Sequence, residues 1–200
     1  RSIARTRTLS ILRGLDTQRK AQVLQFLYES ELVFPTPIVD LKHANLEKAN
    51  LAHVLLEKVI LNEVNLRDAN LERARMGSAS LRQADLRWAV LKKANLSLAD
   101  LRNANLANSD LRGIVLSDAV LREAYLVHAD LREAVLRGTD FRGATLSKAD
   151  LRNANLEDAD LRRANLDGAN VSFEQLKKAR KLDGAIMPDG SKYIAPNSAV

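Results

Sequence analysis

Several residue types that commonly carry structure or chemistry are scarce or missing in this chain of 200 residues. It has no cysteine, which excludes a disulfide framework and a thiolate metal site and is compatible with a reducing compartment. It also has no apolar run of the roughly 18 residues that a membrane span needs, and no recognisable signal peptide. Only 4% of its residues are aromatic, which leaves little material for stacking on nucleic-acid bases.

A leucine at every fifth residue is the dominant pattern that is present. From Leu41 to Val171 there are 27 consecutive repeats without an insertion, and 24 of their central residues are leucine. The residue two before the centre is alanine in 20 repeats. A period of five fits neither a helix nor a straight strand. Within one repeat, however, the alanine and the leucine are two residues apart, so they lie on the same side of a short extended stretch. The chain must therefore turn a corner once per repeat, which predicts a solenoid with alanine and leucine inside.

A second period, of ten residues, predicts how many repeats form one coil. Between Leu81 and Leu161 a basic residue follows every second central residue: Arg82, Lys92, Arg102, Arg112, Arg122, Arg132, Arg142, Arg152 and Arg162. The repeats between them carry mixed residues at the same position. Such alternation stacks in register only when a coil holds an even number of repeats. We therefore expect four repeats per coil rather than three.

The repeat unit itself resembles a known family. The segments ADLRNANL (99–106) and ADLRNANLEDADLRRANLDGANV (149–171) are similar to the A-[DN]-L-x-x consensus of pentapeptide-repeat proteins. This resemblance implies a right-handed, four-sided β-helix with a ladder of leucines in its core. The expected fold is thus an all-β solenoid with small helical caps. The domains expected are an N-terminal helical cap (1–37), the repeat β-helix (38–171), and a C-terminal helical cap with a tail (172–200).

The N-terminal cap is predicted because an open coil exposes unpaired strand edges and an open apolar core. Residues 2–14 carry apolar residues at loosely helical spacing. Asp16 is typical of an N-cap and predicts a helix near 17–31. Pro35 and Pro37 end that helix and lead into the first coil.

The C-terminal cap is predicted from a second helix start. Ser172 and Gln175 fit a capping box, which predicts a short helix near 173–181. The residues 187–190 (MPDG) indicate a turn, and the last residues of the tail are expected to fray.

The segment RTRTLSILRGLDTQRKAQVLQFLYESELV (5–33) resembles the region that precedes the repeats in a group of cyanobacterial pentapeptide-repeat proteins. In many of these a transmembrane helix lies upstream. The resemblance implies that this chain is the soluble part of a membrane-anchored protein. Without such an anchor we expect a cytoplasmic protein.

The net charge of +6 is located mainly in the two ends. Residues 1–34 carry +3 and residues 172–200 carry +2, whereas the repeat body carries +1. In the series of basic residues from Arg82 to Arg162, most follow an aspartate by two positions, so this surface is expected to neutralise itself. The members of the series that lack such an aspartate, and are therefore candidates for an acidic partner, are Arg82, Lys92 and Arg122.

Catalytic, cofactor and metal sites are not indicated. The three histidines His43, His53 and His128 fall on different faces of a four-repeat coil, so they cannot converge on one metal ion. No serine–histidine–aspartate grouping or phosphate-binding loop is present. The periodic asparagine and aspartate residues before the centres are expected to bond to backbone at the corners. We therefore predict no small-molecule substrate, no cofactor and no enzyme activity.

Apolar residues interrupt a position that is otherwise polar, the one before the centre. With the neighbouring Val127 they form one candidate interaction patch: Val115, Val120, Tyr125, Val127 and Val135. Leu55 and Ile60 occupy the same position nearer the N-terminus, where a cap can cover them. The alternative explanation is that β-branched residues simply favour extended backbone.

The favoured function is a rigid, non-enzymatic scaffold that mediates protein–protein interaction with an unknown partner. One alternative is association with nucleic acid, or a DNA-mimic protein that binds topoisomerase. The nearly neutral repeat body disfavours both forms of this alternative. Self-association through an open edge or the apolar patch is a further possibility.

Overall fold

Over the residues described, the fold consists of three helices and a long stack of coils. The computed structural model describes residues 2–33, 37 and 39–194, and for residues 2–7 it describes the backbone alone. The helices are α1 (Ser2–Gly14), α2 (Thr17–Glu29) and α3 (Phe173–Leu176). None of the helices in these described ranges has both the length and the apolar character needed to cross a membrane. Pro35 and the end of the tail, where a helix stop and fraying were predicted, lie outside the described residues.

The coils are joined by parallel pairing between residues twenty apart. In almost every repeat the residue before the centre pairs in this way, as Asn45 does with Asn65 and Val115 with Val135. Each such β-element is a single residue long within the described part of the chain. The interval places four repeats in each coil, and the predicted solenoid is confirmed.

Each corner is a tight turn with a left-handed residue. In the first repeat the N–H of Ala44 donates to the C=O of Leu41 over 2.9 Å, and His43 between them has φ 64°. The same turn position has a positive φ in every repeat up to Gly168. Most of these residues are not glycine, so the backbone strain is tolerated because the neighbouring coils fix the chain on both sides.

Backbone hydrogen bonds connect each coil to the next in a fixed pattern. The N–H of Leu46 donates to Asn65 and that of Lys48 donates to Arg67, both over 2.8 Å. In return the N–H of Asn65 donates to the C=O of Ala44 over 3.0 Å. The first coil has no preceding coil, so its outward carbonyls need other donors.

The interior is a continuous ladder of leucines beside small residues. The central residues from Leu41 to Leu166, including Phe141, are almost completely buried, and so are the alanines two positions earlier. Two small positions hold hydroxyls instead of alanine. The hydroxyl of Ser109 donates to the C=O of Leu106 over 2.7 Å, and that of Thr139 donates to Leu116 over 2.9 Å. At these two positions the core thus holds a polar side chain whose hydroxyl donates a hydrogen bond to a backbone carbonyl.

Helix α2 supplies the missing donors at the first coil. The carboxylate of Asp16 accepts hydrogen bonds at the start of this helix, which confirms it as the N-cap. The Nζ of the buried Lys20 donates to the C=O of Glu47 over 3.1 Å, and the hydroxyl of Tyr28 donates to Glu57 over 3.2 Å. The helix therefore covers the core and also satisfies polar groups of the open edge.

The C-terminal end differs from the prediction. The capping box of Ser172 is present, but α3 ends at Leu176, so the expectation of a helix to residue 181 was wrong. Beyond α3 the chain resumes the coil, with Lys181 paired to Asp160 across 21 residues instead of twenty. The physical reason is that residues 182–187 again offer inward apolar residues, and α3 absorbs the one extra residue.

A reversed segment then closes the last coil. Ile186 pairs antiparallel with Lys192, and the N–H of Met187 donates to the C=O of Ser191 over 2.7 Å. The turn predicted at 187–190 is therefore confirmed. It folds the chain back over an edge that would otherwise be open to pairing.

Lys20→Met is expected to lower the free energy of unfolding by about 1–3 kcal/mol, because the Glu47 carbonyl loses its donor at a buried position. Urea denaturation measures this change. Gln22→Met, at an exposed position of the same helix, is the matched control and is expected to change stability by about 0.5 kcal/mol or less. Equal effects of the two substitutions would contradict a capping role for Lys20.

Candidate interaction surfaces

The outward side chains form four stacks, each made of repeats twenty residues apart. The first charged stack contains Arg82, Arg102, Arg122, Arg142 and Arg162, and the second contains Lys92, Arg112, Arg132 and Arg152. The serine stack contains Ser97 and Ser117, with Leu98, Val115 and Val135. The aromatic stack contains Arg67, Arg87 and Trp88, with Tyr125 and Val127.

The charged stacks are built from clamped arginine–aspartate pairs. In one of them, Nε and Nη2 of Arg112 donate to the two carboxylate oxygens of Asp110 over 2.8 and 2.5 Å. The backbone N–H of Arg112 also donates to Asp110 over 3.2 Å. Similar clamps occur at the other Asp–Leu–Arg segments, so most of the positive charge is neutralised where it arises.

Two of the three basic residues predicted to be unpaired are paired. The Nε of Arg82 lies 2.6 Å from Asp100, and that of Arg122 lies 2.6 Å from Asp140. That prediction was wrong because an aspartate eighteen residues further on belongs to the next coil and stands beside the arginine. Lys92 forms no salt bridge within the described part of the chain.

The shared aspartates have lowered pKa values. Partial burial opposes ionisation of Asp100, but hydrogen bonds from Arg102 and Arg82 outweigh it and lower its pKa to about 2. Asp140 is held in the same way by Arg142 and Arg122, and its pKa is also lowered to about 2. Each carboxylate therefore joins two coils as well as two side chains.

The candidate apolar patch is divided among three stacks. Val115 and Val135 pair with each other in the serine stack, whereas Val120 lies in the first charged stack between two aspartates. Tyr125 pairs with neighbours in the aromatic stack, which also holds Val127. Residues ten apart lie two repeats away round the coil, so the five residues do not form one surface.

The serine stack has a feature that the sequence analysis missed. Leu98 is 62% exposed, and the half-buried Val115 belongs to the same stack in the next coil. Between Arg75 and Asp118 this stack carries no ionisable side chain, since its outward residues there are glycine, serine, asparagine, leucine and valine. The available signal was an apolar residue at the left-handed corner position, which is polar or glycine in most repeats.

The aromatic stack centres on Trp88, which is 44% exposed. The guanidinium of Arg67 lies 4.9 Å from the centre of its ring and that of Arg87 lies 5.7 Å away, so two cations contact one indole. The Nε of Arg67 is buried without a hydrogen-bond partner. Tyr125 is 52% exposed two coils further on.

The remaining polar residues behave as structural groups. The Oδ1 of Asn45 accepts from the N–H of Glu47 over 3.0 Å, and the same turn recurs at Asn105 and Asn155, which confirms the predicted corner chemistry. The three histidines lie in three different stacks. Within the residues that the structure describes, no three histidine, cysteine or carboxylate side chains are grouped as metal ligands.

Comparison with known proteins agrees with this geometry. The profile of the pentapeptide repeats family matches eight copies, at residues 40–77, 79–118, 99–138, 114–153, 139–172 and 146–180. The chain belongs to the pentapeptide-repeat family. No curated protein sequence matches it significantly.

Solved structures of pentapeptide-repeat proteins resemble the chain. HetL, a protein involved in heterocyst differentiation regulation from the cyanobacterium Nostoc sp. strain PCC 7120, is 36% identical with a TM-score of 0.52. The alignment covers 76% of this chain and 78% of HetL. Rfr23 from the cyanobacterium Cyanothece 51142 is 26% identical, covering 60% and 89%, with a TM-score of 0.30. QnrB1, a plasmid-mediated fluoroquinolone resistance protein, is 15% identical, covering 72% and 82%, with a TM-score of 0.48.

The clamped aspartates of this pentapeptide-repeat protein predict how its stability depends on pH. Because the pKa of Asp100 and Asp140 is lowered from 3.8 to about 2 on folding, their contribution is complete above pH 3.8 and is lost as the pH falls towards 2. The free energy of unfolding, measured by urea denaturation, is expected to fall across this window. The fall is expected to be shallower in the Asp100→Asn/Asp140→Asn double variant.

The control for this prediction is the double variant Asp68→Asn/Asp118→Asn, which changes two exposed aspartates that form no salt bridge in the described part of the chain. It should keep the wild-type slope between pH 4 and pH 2, the window set by the lowered pKa of the clamped aspartates. If the two double variants have the same slope, the clamps do not carry the pH dependence.

Proposed function

We propose that this chain is a non-enzymatic scaffold whose rigid coil presents a binding surface to a partner protein. The form we propose for the coil is the right-handed, four-sided β-helix that the family resemblance implies, and the pairing interval of twenty residues supports four sides. HetL is described as involved in heterocyst differentiation regulation, and a regulatory protein is accordingly the partner class that we favour. A cytoplasmic location, with or without an upstream membrane anchor, remains a prediction from the sequence.

The serine stack is the surface that best fits this function. The cores of protein interfaces are depleted in charged residues, and the two charged stacks carry an ion pair in nearly every coil. By contrast, between Arg75 and Asp118 the serine stack carries no ionisable side chain and offers Leu98 and Val115 among small uncharged residues. The 62% exposure of the Leu98 side chain is the single observation that carries the proposal, because an exposed leucine adds nothing to the stability of the isolated chain.

Association with nucleic acid is less well supported. It depends on basic groups without a counter-charge, and Arg82 and Arg122 are joined to carboxylates. A phosphate backbone would have to displace these pairs before it gained contacts of its own. Self-association through the same serine stack is the remaining alternative, and the mass of the purified chain by light scattering distinguishes it from a heterologous partner.

Leu98→Asp is expected to weaken partner binding by about tenfold or more, because it places a charge where an apolar residue enters the interface. The partner is first captured from the native source by the wild-type chain and identified by mass spectrometry. Its affinity for each purified variant is then measured by surface plasmon resonance.

Asn103→Asp is the matched control, since residue 103 is exposed and occupies the same left-handed corner position in the neighbouring stack. This variant should bind like the wild type. Unchanged binding by Leu98→Asp, or equal losses in both variants, would contradict the assignment of the serine stack.

A further inference from the structure

A notch interrupts the second charged stack at Gly113. It is a cavity of about 300 Å³ lined by Lys92, Lys93, Arg112, Gly113, Arg132 and Glu133. Gly113 occupies the left-handed corner position, with φ 63°, where most repeats carry a side chain. A Cβ atom built there would lie 3.5 Å from Cγ of Lys93. The notch therefore exists because one side chain is missing from the stack.

The basic groups of the notch are of two kinds. Arg112 and Arg132 are fixed, since each is clamped by the aspartate of its own repeat through Nε and Nη2. Lys92 and Lys93 form no salt bridge within the described part of the chain. Lys92 has Val90 in its own repeat, and the aspartate eighteen residues on, Asp110, is clamped by Arg112. The pKa of Asp110 is lowered mainly by its hydrogen bond from Arg112 and also by the charge of Lys92, so Lys92 faces a carboxylate that is already engaged.

The acidic groups do not cancel these two lysines. Asp110 and Asp130 are engaged by the clamped arginines behind the notch. Glu133 is the acidic residue in the lining, and its charge is among the causes that raise the pKa of Arg112, after the hydrogen bond and charge of Asp110. The lining thus combines two clamped guanidinium groups with two ammonium groups that form no salt bridge among the described residues, one of which shares the field of Asp110 with Arg112.

We propose that this notch binds a phosphate group. A phosphate carries a charge of about −1.5 to −2 near neutral pH and offers three strong acceptor oxygens. Lysine ammonium groups are compact charges with three donors each, and a fixed guanidinium adds a planar donor group, so together they match such a ligand. The phosphate is carried either by a small molecule or by a phosphorylated protein segment.

A second notch provides an internal comparison. Gly143, in the first charged stack, also lacks a side chain at the corner and opens a cavity of about 460 Å³. Its lining includes the carboxylates of Glu123 and Asp183 beside its arginines. Two of these arginines, Arg122 and Arg142, share Asp140. The two notches have the same origin, but of the two only the one at Gly113 has lysines in its lining.

Isothermal titration calorimetry at low ionic strength tests the site with two probes, inorganic pyrophosphate and a phosphoserine peptide. The wild-type chain is expected to bind at least one of them. Lys93→Gln is expected to weaken binding by about tenfold or more, since the phosphate loses a charge-assisted hydrogen bond. Gly113→Asn is expected to abolish binding by filling the notch without removing a charge.

The Gly113→Asn variant is expected to fold, because Asn103 and Asn153 already occupy the same corner position with φ 58° and 61°. Gly143→Asn, the matched control in the second notch, should bind the probes like the wild type. Tighter binding of pyrophosphate identifies a small-molecule ligand, and tighter binding of the peptide identifies a protein-borne one. Absence of binding to both probes, or equal losses in Gly113→Asn and Gly143→Asn, would overturn the proposal.

Discussion

Parallel backbone pairing between residues twenty apart is the interaction on which the rest of the structure depends. Each repeat must bury a leucine and a small residue on one side, so the chain turns at every fifth residue and leaves its N–H and C=O groups pointing along the stack. Only the neighbouring coils can satisfy these groups, as Leu46 and Asn65 do. Because the interval is fixed, every outward side chain stands beside the residue twenty positions away.

The chemistry of the surface follows from that alignment. Residues that are distant in sequence become neighbours, so one aspartate such as Asp100 binds arginines of two coils. At the two ends one neighbouring coil is missing, and other segments take its place. Helix α2 supplies hydrogen-bond donors to the first coil, and a reversed segment pairs with the last. Among the described residues, the surfaces that this alignment leaves to partners are the uncharged part of the serine stack, the aromatic stack and the notches at glycine corners.

The sequence predicts features that recur with a period along the chain or that follow from a local cap signal, and it fails on individual contacts between side chains of different coils. The solenoid, the N-cap at Asp16 and the capping box at Ser172 each follow from local pattern. The pairing of Arg82 could not be inferred within its repeat, because its partner lies in the next coil. The coil beyond α3 was missed because one extra residue shifts Leu182 out of the period of five. Leu98 occupies the corner position two residues after a centre, so the apolar pattern at the position before each centre does not predict it.

Cysteine cross-linking measures the repeat interval directly, since the chain has no cysteine of its own. Ser97→Cys/Ser117→Cys places two thiols in adjacent coils at about the 4.8 Å spacing of paired strands, within the range that a disulfide spans. Ser97→Cys/Arg112→Cys places them fifteen residues apart, which would stack them only in a coil of three repeats. The account predicts rapid oxidation of the first pair and none of the second. The reverse result would contradict it.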